Sequence, residues 1–261
     1  MKSSPKQKII EALKDQQAIF GDDLFEEKAN LKKSKTSAFE METTSREDSS
    51  RRIAIVKEPV TKSLASKNAV KGDWEKSQSL DKLNSLICNC TNCVLHKGRN
   101  KFVFGSGNPN ADVMVIGEGP GAEEDKQGLP FVGRAGQLLT DILKAIRFTR
   151  GEVFIGNIVK CRPPDNRTPL PEEMETCIPY LAKQIELIKP KLILCLGLTA
   201  AKGLLKKKDS LTSLRGQVFE YEGIKTMVTF HPAALLRNPN WKKDCWVDVQ
   251  KFRKLYDEMV A

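Results

Sequence analysis

No run of apolar residues in this chain is long enough to span a bilayer, so a membrane-crossing helix is not expected. Nor does Met1-Lys2-Ser3-Ser4-Pro5 lead into the apolar h-region of a signal peptide. The protein is therefore expected to be intracellular, in a bacterial-type cytoplasm. Internal repeats are lacking, and histidine is scarce, with only His96 and His231. Set against these gaps are seven cysteines. Without a secretion signal they argue against a disulfide framework and towards ligation of a metal or cluster. Hydrophobic residues fill 40% of the 261 positions, enough for a real core in one or two domains.

The formal net charge is +10. Residues 1–75 hold 15 Lys/Arg against 13 Asp/Glu and the rest hold 28 against 20, so most of the excess lies in 76–261. That suits a polyanionic partner such as nucleic acid, or plain solubility. Residues 1–75 read as an N-terminal extension. Within it, 6–25 has the apolar spacing of a short amphipathic helix, which either docks an unknown partner or has no role. Residues 30–71, rich in Ser, Thr, Lys and Glu, bury too little to offset ordering entropy and read as a disordered linker.

Residues 76–261 read as one domain organised around 113–139. Val113 to Ile116 is a short buried strand, broken by Gly117-Glu118-Gly119-Pro120-Gly121. An acidic run, Glu123-Glu124-Asp125, and a second loop, Gly128 to Gly133, precede a helix starting near Ala135. Strands are expected over 112–117, 153–160, 191–197 and 225–231, with a further strand or hairpin over 217–223. Helices are expected over 79–87, 136–147, 171–188, 199–206 and 243–260. Alternation of this kind predicts an α/β fold with a mainly parallel four-stranded sheet and helices on both faces. In such sheets ligands bind outside the carboxyl ends of the strands. The two glycine loops lie there, and with them carboxylates and Phe131. They form either a pocket or an elaborate connection.

Cys90 and Cys93 precede the sheet, Cys161 ends the second strand and Cys177 lies in a helix. Together they could present four thiolates to Zn²⁺ or to a [4Fe–4S] cluster, which spacing does not separate. Cys195 and Cys245 read as core thiols, and Cys88 competes with Cys90 for the first pair. Asn157 is a polar residue inside an apolar strand and needs a partner. Its amide matches the O4 acceptor and N3–H donor of uracil or thymine, or else is tied to neighbouring backbone. His231 ends the fourth strand as a site residue or as a cap on the turn. Leu235, Leu236 and Arg237 follow on a loop, as a wedge into a base stack or as loop packing.

Taken together, these segments resemble the iron–sulfur (family 4) uracil-DNA glycosylases. The resemblance rests on Cys90-Thr91-Asn92-Cys93 with Arg99, Val103 to Pro109, Gly117 to Gly121, Gly128 to Gly133, Asn157 to Pro164, Arg167-Thr168-Pro169 and His231-Pro232. It implies a three-layer αβα sandwich and a structural [4Fe–4S] cluster on Cys90, Cys93, Cys161 and Cys177. The implied activity is hydrolysis of the N-glycosidic bond of a flipped-out deoxyuridine, in single- or double-stranded DNA, by a monomer that initiates base-excision repair. Phe131 would stack on uracil and Asn157 would read O4 and N3–H. His231, with backbone N–H groups near Glu118 and Gly119, would face O2. Gly119 stands where related families place a water-positioning Asp. Glu118 would orient water or the sugar, and Glu124 would wall the C5 side. The alternative from another class is a non-catalytic, cluster- or zinc-stabilised nucleic-acid-binding module.

Overall fold

The computed structural model describes residues 72–261 together with Lys14. The expectations for 6–25 and 30–71 otherwise lie outside the described residues. The helices are α1 (Leu80–Ile87), α2 (Ala122–Gln127), α3 (Arg134–Ala145), α4 (Pro171–Ile188), α5 (Gly197–Leu205), α6 (Leu211–Leu214), α7 (Pro232–Arg237) and α8 (Trp241–Val260). The strands are β1 (Ser106–Gly107), β2 (Val113–Gly117), β3 (Phe154–Asn157), β4 (Leu192–Leu196), β5 (Val218–Tyr221) and β6 (Ile224–Thr229).

The six strands form one sheet in the order β1-β3-β2-β4-β6-β5. The β3-β2-β4-β6 pairings are parallel, and β1 and β5 are antiparallel edges. The expectation of four strands is thus corrected to a mixed sheet of six. A two-residue edge strand carries too little periodicity to be read, and 217–223 joins as the first arm of a β5–β6 hairpin. Every residue of β2, β3 and β4 is buried, because both faces are covered.

Alternate side chains go to opposite faces. Val113 and Val115 of β2 and Leu192, Leu194 and Leu196 of β4 pack with α3 and α8. Met114, Ile116, Ile193 and Cys195 pack with α1, α4 and α5. That is three layers, helix–sheet–helix. Pro171 pre-sets the first turn of α4, and the Glu173 carboxylate accepts from Leu170 N at 2.7 Å.

Three local expectations change. The second strand ends at Asn157 rather than 160, although Ile158 N and Val159 N still donate to Gly117 O and Glu118 O at 3.0 and 3.1 Å. The acidic run is the helix α2. The loop after His231 is the helix α7, which Pro232 starts and the His231 side chain caps.

Candidate active site

β2 and β3 end together, with Gly117 level with Asn157. A Cβ on Gly117 would lie 2.5 Å from Asn157 Oδ1 and 2.6 Å from Phe131 Cζ. Only glycine lets these two side chains converge over the strand end. Asn157 is 2% exposed, and its Oδ1 is buried without a hydrogen-bond partner. An orphaned buried acceptor is costly, so its presence asks for a ligand that donates.

Phe131 is buried at φ 53°, a left-handed conformation that is unfavourable for a bulky side chain. Its neighbours hold it there. Glu124 Oε1 accepts from Val132 N at 2.8 Å and Gly133 N at 2.9 Å, while Oε2 accepts from Gly121 N at 3.1 Å. Arg150 donates to Pro130 O at 2.8 Å. Glu124 thus clasps the two glycine loops together. One residue on, the buried Asp125 accepts from Asn100 N at 2.9 Å and fixes the chain that leaves Arg99. The acidic run showed carboxylates, but not that two of them would be spent on backbone amides.

His231 lies against Phe131, with the ring centroids 5.5 Å apart. Nδ1 accepts from Ala233 N at 3.1 Å, which leaves the proton of the neutral ring on Nε2. Burial, with repulsion from Arg237, lowers its pKa from 6.5 to about 4, so the ring is neutral at physiological pH. Glu118 is partly buried, and its carboxylate meets no hydrogen-bond partner among the described residues. At Gly119 a Cβ would come within 2.7 Å of Val159 Cγ2, so any side chain there would have to displace Val159.

Leu235 has no exposed surface and belongs to the core. Leu236 is 39% exposed, and Arg237 is exposed too. The expected pair therefore splits, because consecutive residues of a helix face different directions. Two surface grooves, one bounded by Arg147, Trp246 and Arg253 and one by Met174, Lys202 and Lys206, contain none of these residues.

Four cysteines lie together on the other face of the sheet. Cys90, Cys93, Cys161 and Cys177 are free thiols around the α1–α4 layer. Burial raises the pKa of Cys177 to about 12 and that of Cys161 upward, with Cys93 repelling both. Arg99 binds Cys90 O at 2.8 Å and Cys161 Sγ at 3.2 Å, and Tyr180 OH lies 3.4 Å from Cys90 Sγ. Among the described residues, no three His, Cys, Asp or Glu side chains close around a single ion. The donor chemistry nevertheless fits a thiolate-bound group: four soft ligands, three of them with thiols pushed up by burial, with the cations Arg99 and Lys160 close by. Cys88 turns back to Ser85 O at 3.8 Å. Cys195 and Cys245 are buried in the two core layers.

Lys160 went unnoticed in the sequence. It is fully buried, and burial lowers its pKa to about 8. Its Nζ donates to Asn157 O at 3.0 Å and Gln184 Oε1 at 2.6 Å.

Fold and site together define an α/β protein in which Phe131, Asn157 and His231 gather at the carboxyl edge of the sheet, with four cysteines in the layer on its other face. The chain belongs to the uracil DNA glycosylase superfamily, which matches residues 104–252, and within it to the type-4 uracil-DNA glycosylases. It is 46% identical over 183 residues to the type-4 uracil-DNA glycosylase of Pyrobaculum aerophilum, covering 66% of this chain and 92% of that one. Identity to the type-4 enzyme of Archaeoglobus fulgidus is 41% over 186 residues, 68% and 94% of the two chains. With the Thermotoga maritima enzyme it is 46% over 167 residues, 63% and 87%. The family expected from the sequence is thus the family found.

Proposed function

We infer that this protein is a monofunctional uracil-DNA glycosylase, which hydrolyses the N-glycosidic bond of a flipped-out deoxyuridine and so initiates base-excision repair. The observation that carries this is the unpartnered Asn157 Oδ1 at the bottom of the slot. Uracil offers it the N3–H donor, and the amide NH₂ serves O4. Phe131 stacks on the ring. A base inside a duplex cannot reach this slot, so it must leave the stack. As the bond breaks, positive charge grows on the deoxyribose and negative charge on uracil O2. His231, neutral and protonated on Nε2, is a donor for O2 that is in place beforehand, which lowers the barrier more than one recruited during reaction. Glu118 supplies a carboxylate for water or for the sugar. Glu124 bounds the C5 side through the loops it clasps. Leu236 and Arg237 are exposed for the gap left by the base, with Leu235 anchoring them.

Cys90, Cys93, Cys161 and Cys177 would hold a [4Fe–4S] cluster, which cross-links the chain and takes no part in base removal. The positive excess in 76–261 meets the DNA backbone, single- or double-stranded. The glycosylase domain spans 76–261 and acts as a monomer. We further propose that residues 1–75 are an N-terminal extension whose segment 6–25 either docks a partner or has no role, and free thiols suit a reducing interior.

The test is release of free uracil from a uracil-containing oligonucleotide without added metal, leaving the strand unbroken until the abasic site is cleaved by alkali. DNA binding without base release would favour the non-catalytic module instead.

A further inference from the structure

The ammonium of Lys160 sits inside the protein, one residue before Cys161, and has no part in the reading of uracil given above. Its Nζ donates to Asn157 O and to Gln184 Oε1, and Gln184 Nε2 donates onward to Phe104 O at 2.9 Å. The Lys160 carbonyl accepts from Val103 N at 2.9 Å. Among the described residues its ammonium meets no carboxylate; the one acidic group that bears on it is the Cys177 thiol.

A buried cation resting on two neutral acceptors is costly, because the desolvated charge has no counter-ion to offset it. Apolar side chains fill such a space at no such cost, so the charge needs a use. The geometry supplies one. Asn157 is the last residue of β3, and its side chain joins the slot on the α3–α8 face of the sheet. Gln184 lies on α4, in the layer on the opposite face. Lys160 reaches from that second layer to the peptide carbonyl of the residue that reads the base. Ile158 N ties the other side of that peptide to Gly117 O at 3.0 Å, Lys160 holds its carbonyl, and the tilt they set together decides where Oδ1 points.

We propose that Lys160 is a positioning residue for base recognition: its ammonium, held by Gln184 from the cysteine-bearing face of the sheet, fixes the Asn157 peptide and so aims the Asn157 amide. This rests on Asn157 as the reader of uracil. It also gives the four-thiol layer a connection to the slot, since Gln184 shares α4 with Cys177.

The test uses the full-length chain and compares Lys160→Met with wild type. Iron content, visible absorbance and binding to uracil-free DNA should match wild type. Excision should fall by roughly 30-fold or more, and inhibition by free uracil should weaken by a similar factor, since a mis-aimed amide loses the base itself. Added to Asn157→Ala, Lys160→Met should cost less than about 3-fold more, because the two act through one contact. If Lys160→Met does not load iron, Gln184→Leu leaves the lysine but frees its ammonium, and should weaken uracil inhibition in the same direction. Wild-type uracil inhibition in the iron-loaded variant, or fully additive losses with Asn157→Ala, overturns the proposal. A wild-type protein that releases no uracil would instead defeat the parent reading.

Discussion

Gly117 and Asn157 stand level at the ends of neighbouring parallel strands, and a Cβ on Gly117 would lie 2.5 Å from Asn157 Oδ1. The same Cβ would lie 2.6 Å from the Phe131 ring. Gly117→Ala must therefore push one of them out of the slot. Overpacking of this kind costs about 1–3 kcal/mol, so excision should drop on the order of 10- to 100-fold. Uracil-free DNA should bind as before. Steady-state kinetics beside a binding titration checks this; a wild-type excision rate would place the slot elsewhere.

Asn157→Asp removes the donor for O4 and adds charge. Leaving O4 unpaired in a dry slot costs on the order of a few kcal/mol, so uracil excision should fall roughly 100-fold or more. A protonated Asp can donate to cytosine N3 and accept from N4, so weak cytosine release is expected, best at low pH. Matched U- and C-containing strands, treated with iron-loaded variant, measure both. Unchanged uracil release would remove Asn157 as the reader.

The pKa of His231 is lowered, from 6.5 to about 4, chiefly by burial. The unfolded chain thus takes up this proton first as pH falls. The neutral ring's stabilising contribution is complete above the unfolded value and is lost as pH falls from about 6.5 towards about 4. The N–H of Ala233 also loses its acceptor when Nδ1 is protonated. In NMR the His231 ring should not titrate near 6.5, and a His96→Gln variant makes the assignment unambiguous. A midpoint near 6.5 would mean that the imidazole is not held neutral.

Leu235 and Leu236 should behave differently although they are neighbours. Leu235→Ala empties a core position and should cost about 2–5 kcal/mol of stability, with equal effects on single- and double-stranded substrates. Leu236→Ala should leave the melting temperature nearly unchanged and slow excision from duplex more than from single strands, which need no opening. Equal losses on both substrates would confine Leu236 to packing of its helix.

Anaerobically purified protein should be brown, with broad absorption near ~400 nm and about four irons per chain. Cys161→Ala or Cys177→Ala should lose colour and soluble fold together, whereas Cys88→Ala should keep both, because that thiol turns to Ser85 O. A colourless protein with one zinc per chain would replace the cluster with a single ion.

Much of this molecule is decided locally. Runs such as Val113 to Ile116 and Leu192 to Leu196 are apolar throughout and end in glycine, so they mark buried parallel strands before any fold is known. Asn157 stood out for the same reason, as one polar residue inside such a run. The spacing of Cys90, Cys93, Cys161 and Cys177, and the family the motifs belong to, were likewise open to reading. What depends on chain segments far apart was not. The two-residue β1 exists only because β3 offers it an edge, and Glu124 looks like any helix carboxylate until the loop holding Val132 folds over it. Leu235 and Leu236 are the same residue type, and only α7 buries one and exposes the other. Lys160 is the sharpest case. A lysine in sequence reads as a solvated charge, and only tertiary packing could put its ammonium between Asn157 and Gln184. Periodicity reports which face of an element is apolar. The partners a polar group must find once water is excluded are fixed only when the layers close.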